Sequence, residues 1–152
     1  MTAKASVGRY TYDADSKVVL RALGSSAITA SAASLEVPLD KLTAYWHGSD
    51  TDLAMQTFAV VIFVESSDGA NGDEDYTFAV ETDSATGFSS AVSVASVAFT
   101  NSAAPLGEIV IPLDVAMIQK LDPTAALLRL NVTLAGTTPS LGYGAWIAPI
   151  TK

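Results

Sequence analysis

Residues 57–99 read TFAVVIFVESSDGANGDEDYTFAVETDSATGFSSAVSVASVAF, and this stretch decides the fold class. Three apolar runs, rich in β-branched and aromatic residues, are separated by two loops rich in turn-forming and acidic residues. Alternation with a period of two residues is typical of β-strands. The parity of the apolar residues changes between Val94 and Val97, which predicts a bulge in the third run. The first run, 58–64, is apolar at every position, so we expect it to be covered on both faces or to lie at a subunit contact.

Similar alternation occurs on both sides of this stretch, in the segments 18–24, 35–39, 109–113, 128–134 and 143–150. Pro38 permits only an edge position or a strand end. Asp114 is placed to cap a short helix whose apolar face holds Val115, Ile118 and Leu121, and Asp122-Pro123 ends it. The loop 136–142 is predicted to join the last two strands in a hairpin. About eight strands and one short helix predict an all-β fold, an antiparallel β-sandwich of jelly-roll type.

The chain divides into an extended N-terminal arm, 1–16, and a single jelly-roll domain, 17–152. The first 21 residues hold four basic and only two acidic residues, and the distinctive residues of the arm are Lys4, Arg9, Tyr10 and Tyr12. The segment 43–119, by contrast, holds eleven acidic residues and no lysine or arginine. Opposite charges favour contact between the two parts. We expect the arm to cross to a neighbouring subunit; the alternative is that it meets the body of its own chain.

Composition excludes several classes of protein. The formal net charge of −8 argues against a nucleic-acid-binding protein, because phosphate contacts require clustered Lys and Arg. The chain has no cysteine, so it forms no disulfide or thiolate metal site. The longest fully apolar run is too short for a membrane-spanning helix, and the first 17 residues show no secretory signal. Only 16% of the residues are charged, which indicates either an Ala- and Ser-rich surface or one partly covered by another chain.

The loop 68–75 has the highest density of carboxylates in the chain. Oxygen ligands this close together can chelate a hard cation such as Ca²⁺, and the candidates are Asp68, Asn71, Asp73, Glu74 and Asp75. Their spacing does not match the EF-hand loop, which needs ligands at alternate positions and a distant bidentate glutamate. We therefore favour a solvated hairpin loop and predict no metal site.

His47 is the only histidine, and it lies near Ser49, Asp50 and Asp52. A catalytic triad is normally assembled from distant segments, so four neighbours in one polar loop do not predict one. The chain also lacks a GxSxG elbow and a glycine-rich phosphate motif. We predict that the protein is not an enzyme and binds no cofactor.

Aromatic residues occur near the middle and the end of the chain, at Tyr45, Trp46, Tyr143 and Trp146. Such side chains can stack on sugar rings, and this leaves a carbohydrate-binding module, or a receptor-binding module of a phage tail, as the alternative function. The simpler interpretation is that they fill the core or an interface.

The order of these patterns resembles one family of structural proteins. The segments SLEVPLD, VVIFVES, DYTFAVETDSATGFSSAVSVAS, LGEIVIPL and LLRLNVTLAGTTPSLGYGAWIAPI follow one another as in tailed-bacteriophage capsid decoration (cement, or head-stabilising) proteins. The chain is similar to the group of the Bordetella phage cement protein. The more specific elements are Asp83-x-x-x-Gly87-Phe88 and the segment 129–140, and the resemblance begins at about Ser34.

The resemblance implies a jelly roll that forms homo-oligomers, dimers or trimers. It also implies a place in the virion, on the outer surface of the capsid, after synthesis in the cytoplasm of the bacterial host. There the protein would clamp neighbouring copies of the major capsid protein, with no nucleic acid or membrane as partner. Loops that project from a rigid sandwich commonly carry recognition. The candidate interface residues are Lys4, Arg9, Tyr10, Tyr12, Asp73, Glu74, Asp75, Thr138 and Pro139.

Overall fold

The computed structural model of the protein describes residues 4–7, 10–13, 18–40, 42 and 57–150. The strands, in chain order, are β1 (Lys4–Val7), β2 (Tyr10–Asp13), β3 (Val19–Arg21), β4 (Ala32–Ala33), β5 (Val37–Pro38), β6 (Thr57–Ser67), β7 (Asp75–Asp83), β8 (Val92–Phe99), β9 (Gly107–Asp114), β10 (Leu127–Ala135) and β11 (Leu141–Pro149). A short helix, α1 (Val115–Leu121), follows β9 directly.

The strands form two packed antiparallel sheets and a separate hairpin, β1–β2. The first sheet has the order β3-β11-β6-β9, and the second has the order β4-β10-β7-β8. β5 also pairs with β10, next to the segment that pairs with β4, so β4 and β5 act as one interrupted edge strand. Counted in this way, there are eight strands from β3 onward, and every connection crosses between the sheets except the one from β7 to β8, which are neighbours in the second sheet. This is the strand order of a jelly roll. The predicted fold class is therefore confirmed.

β6 is a central strand with both faces buried, as its sequence predicts. Phe58, Val60 and Ile62 point between the sheets into the main core. On the other face, Val61 packs with Trp146 of β11 in a second, smaller cluster. β11 lies between β3 and β6 in the first sheet, and β2 of the separate hairpin also contacts it.

The predicted bulge and helix cap are both present. The register between β7 and β8 shifts at Val80 and Glu81, which leaves Val94 as the extra residue of β8. At the start of α1, the Asp114 carboxylate accepts a hydrogen bond of 2.6 Å from the Met117 N–H. The prediction for Leu121 is wrong, because its side chain is 51% exposed. The helix spans only seven residues, and its buried residues are Val115 and Ile118.

The loops after β6 and β10 are not hairpin loops, which corrects both predictions. β6 and β11 lie in the first sheet, whereas β7 and β10 lie in the second, so each loop crosses from one sheet to the other. The physical reason is that all four strands are long and central. Each of them has two hydrogen-bonded neighbours in its own sheet, and the strand on the other side of the loop is not one of them.

Candidate contact surface

Three crossing loops meet at one end of the sandwich, and we call them the loop cluster: 68–74, 100–106 and 136–140. Backbone hydrogen bonds join them directly. The Asp68 N–H donates to the Ser140 carbonyl at 2.9 Å, and the Ser102 N–H donates to the Glu74 carbonyl at 3.0 Å. The loops are therefore one connected surface and not three independent turns.

Tyr76 holds the base of the loop cluster. Its side chain is completely buried, and its hydroxyl donates to the Asp68 carbonyl at 2.5 Å. The same oxygen accepts a hydrogen bond of 3.2 Å from the Ser140 N–H. One buried phenol thus links the loop after β6 to the loop after β10.

Glu74 is buried within the loop cluster, so the interpretation of a fully solvated loop is wrong for this residue. Its carboxylate accepts hydrogen bonds from the Asn71 N–H, the Asn71 side-chain amide and the Gly72 N–H, at 3.2, 2.9 and 2.9 Å. Burial alone would raise the pKa of Glu74, but these hydrogen bonds outweigh it and lower the pKa below its usual value.

Asp73 connects the first loop to the third. Its carboxylate accepts hydrogen bonds from the Thr137 N–H at 3.1 Å and the Thr137 hydroxyl at 2.8 Å. These two bonds lower the pKa of Asp73 despite partial desolvation. The Asn71 side-chain amide also donates to the Thr137 carbonyl at 2.9 Å and to the Thr138 hydroxyl at 3.2 Å. The acidic loop is thereby fixed against the turn that contains Thr138.

Asp75 is the first residue of β7 and connects the second loop to the end of the first. Its carboxylate accepts a hydrogen bond of 2.8 Å from the Asn101 N–H. The structure therefore brings together five predicted interface residues at one end: Asp73, Glu74, Asp75, Thr138 and Pro139. Glu74 is buried among them and does not reach the surface. Sequence reasoning missed the exposed residues Asn101 and Thr137 of this end, and it missed Tyr76, which is buried beneath them. No local signal identifies them, because their partners are contributed by distant segments.

The predicted residues of the arm are only partly described. Lys4 lies in β1, and Tyr10 and Tyr12 lie in β2, where Lys4 is in register with Asp13. Arg9 falls outside the described residues, as do the His47 loop, Tyr45 and Trp46. Whether the arm crosses to a neighbour stays a prediction.

The two described aromatics of the proposed sugar platform are not on the surface. Trp146 is 2% exposed and Tyr143 is 1% exposed. Burial raises the pKa of the Tyr143 phenol, an effect that the nearby Arg21 guanidinium partly opposes. These two residues fill the fold, in line with the simpler interpretation of their role.

The carboxylates of the loop cluster act as hydrogen-bond acceptors for N–H and O–H groups of the chain. Within the described residues, no group of three or more His, Asp or Glu side chains is arranged to hold a metal ion. The arrangement can present negative charge on a rigid surface. Its hydrogen bonds serve to fix loops.

At the opposite end of the sandwich, Asp83 organises the loop between β7 and β8. Its carboxylate accepts hydrogen bonds from the Ser90 N–H at 2.9 Å and the Ser84 N–H at 2.6 Å. The bond from Ser90 is the main cause that lowers the pKa of Asp83, although desolvation opposes it. Asp83 thus closes a turn and is not part of the loop cluster.

No protein-family model matches the chain, and a search of curated proteins finds no match. None of the helices in the described part of the chain is long and apolar enough to cross a membrane.

We expect the free energy of unfolding to fall as the solution becomes acidic. The folded-state pKa values of Asp73, Glu74 and Asp83 lie below their unfolded values, so the unfolded chain binds protons more readily. The contribution of these three carboxylates to the free energy of unfolding is complete above about pH 5, and it is lost as the pH falls through their folded-state pKa values. Glu108 has the opposite effect, because desolvation raises its pKa in the folded state and the folded chain then binds this proton more readily. Urea denaturation between about pH 7 and pH 3 measures the loss.

Asp73→Asn provides the matched variant for this experiment. It keeps one side-chain oxygen but removes the titrating group, so its stability should depend less on pH than that of the wild type. An identical acid-induced loss in the two proteins would show that Asp73 does not contribute to the pH dependence.

Proposed function

We propose that this protein decorates the outside of an icosahedral bacteriophage head and stabilises the capsid by clamping neighbouring copies of the major capsid protein. The similarity of its sequence pattern to decoration proteins supports the proposal, and so does its jelly-roll fold, which that similarity implies. The low fraction of charged residues, 16%, is also consistent with a chain that works as a contact surface.

The observation that carries the proposal is the rigid, acidic loop cluster. Asp73 and Asp75 remain at the surface of this end while their carboxylates hold Thr137 and Asn101 in place. A preorganised surface loses little conformational entropy when it binds. Its negative charge suits a basic surface on the capsid protein, and we place the capsid contact at this end of the jelly roll.

Many weak contacts suffice for this function. A head presents the same site many times, and an oligomer that engages two sites gains from a high effective concentration. The arm would add a second contact element, with Lys4 and Arg9 as its basic residues. Binding therefore depends on the oligomer as well as on the loop cluster.

Co-sedimentation with empty phage heads that lack their own decoration protein tests the proposal. The wild-type chain should pellet with the heads, and Asp73→Asn/Asp75→Asn should bind at least about tenfold more weakly, because two charges are lost at every contact. Asp40→Asn is the matched control, since it removes an exposed carboxylate near the opposite end. Wild-type protein that stays in the supernatant while binding a glycan column would instead support a carbohydrate- or receptor-binding module.

A further inference from the structure

Among the described residues, the two packed sheets have four edges, and three of these carry features that hinder pairing with another chain. β3 is only three residues long. The edge formed by β4 and β5 is interrupted and contains Pro38. β9 carries an exposed proline, Pro112, and a charged residue, Glu108. Short strands, proline and charge are the usual means by which natural proteins protect sheet edges.

β8 is the fourth edge, and it has eight residues with no charged residue and no proline. One side of β8 pairs with β7, and none of the described strands pairs with the other side. The backbone N–H and C=O groups along such an edge are a template for another strand. Its one protective feature is the bulge at Val94, which affects only its first half.

The second half of β8, residues 95–99, is regular and only partly covered, with Ser96 and Ala98 exposed. Its register with β7 is unbroken from the pair Ala95 and Val80 to the pair Phe99 and Tyr76. α1 also contacts β8, but it begins after Asp114, which is paired with the start of β6. The helix is therefore at the end away from the loop cluster, whereas Phe99 lies beside it.

The segment of chain that contains β8 carries no charge. The 24 residues 84–107 contain no Asp, Glu, Lys or Arg, although the chain as a whole has a net charge of −8. Within this segment Ser96 and Ala98 are exposed, and Leu106 is 70% exposed. Two copies of an acidic protein repel one another across most of their surfaces. A contact through β8 brings no like charges together.

We propose that two copies of this chain pair through β8. A two-fold axis makes the paired strands antiparallel and places the same residue of both copies at the centre. The centre of the regular segment is Val97, so Ser96 of one copy lies opposite Ala98 of the other. The second sheets of the two copies then form one continuous sheet. This deepens the homo-oligomer part of the proposed function by naming the surface and the register.

Charge exchange across the predicted register tests the pairing by sedimentation velocity. The wild type should be a dimer. Ser96→Lys/Ala98→Lys and Ser96→Glu/Ala98→Glu should each dissociate, with a dissociation constant raised at least about tenfold, because like charges then lie directly opposite. An equimolar mixture of the two variants should form dimers again, since every introduced lysine then faces an introduced glutamate.

Thr133→Lys is the matched control. Thr133 is exposed on β10 of the same sheet, but β10 is an interior strand, so this variant should remain a dimer. A wild type that is monomeric or trimeric, or a mixture that stays monomeric, would overturn the proposal. Deletion of residues 1–16 should leave the dimer intact; loss of the dimer would assign the contact to the arm instead.

The two proposals fail separately. A dimer with this register that does not co-sediment with phage heads would refute head decoration but leave the β8 pairing in place. Heads that bind the lysine variant and the wild type equally well, while only the wild type is a dimer, would retain decoration and show that the dimer is not needed for it.

Discussion

Phe78→Ala is expected to lower the free energy of unfolding by about 4 kcal/mol. Phe78 lies in the middle of β7 and is completely buried between the sheets. Its ring meets those of Phe99 and Tyr143 edge to face, with centroids 6.5 and 6.0 Å away. Alanine loses this contact and leaves a cavity, because the neighbouring strand β8 and the facing strand β11 hold the two rings in place. Urea denaturation followed by circular dichroism measures the change.

Phe63→Ala is the matched control for Phe78→Ala. Phe63 lies in β6, but its side chain is on the outer face and 39% exposed. The same truncation should cost only about 1 kcal/mol there, since less apolar area returns to water and no enclosed cavity forms. Equal losses for the two variants would contradict the location of the core between the two sheets.

The strands were predictable because their signal is local. Leu128, Leu130 and Val132 alternate with polar residues in the sequence, and in β10 all three are buried. The helix start was predictable for the same reason, since Asp114 caps a backbone N–H only three residues away. The bulge in β8 also shows in the sequence, because one extra residue reverses the parity of the apolar side chains.

The pairing of the strands was less predictable, because it depends on segments far apart in the chain. β10 and β11 are separated by a short loop, and a hairpin was the expected connection. Instead, Leu130 pairs with Val80 of β7, while Tyr143 pairs with Val64 of β6. Alternation alone shows which face of a strand is apolar, but it does not show which sheet the strand joins.

The candidate contact surface was identified in parts, and the joining of the parts was not predicted. Asp73 and Thr138 were chosen from acidic and turn-forming composition, although 64 residues separate Asp73 from its partner Thr137. The burial of Glu74 was also unexpected, because carboxylates are seldom buried without compensation. That compensation comes from Asn71 and Gly72, whose positions follow from the loop conformation.

Gly136→Ala is expected to cost about 3 kcal/mol and to separate the loops of the contact surface. Gly136 has φ +96°, a conformation that strains any residue with a Cβ. A Cβ there would lie 2.3 Å from the Asp73 carbonyl oxygen and 2.7 Å from the Glu74 Cα. These are backbone atoms, so the clash is relieved only if the third loop moves away from the first. The variant should unfold at lower urea concentration and lose the hydrogen bonds from Thr137 to Asp73.

Gly72→Ala separates the effect of the clash from that of backbone strain. Gly72 also has a positive φ, +73°, but an added Cβ would meet no atom within 4 Å. This variant should lose only about 1 kcal/mol, the cost of the left-handed conformation alone. Amide hydrogen exchange at Thr137 supplies the second measurement, since only Gly136→Ala should expose that N–H. If the two variants lost equal stability and kept equal protection, the close approach to Asp73 would not be what requires glycine at position 136.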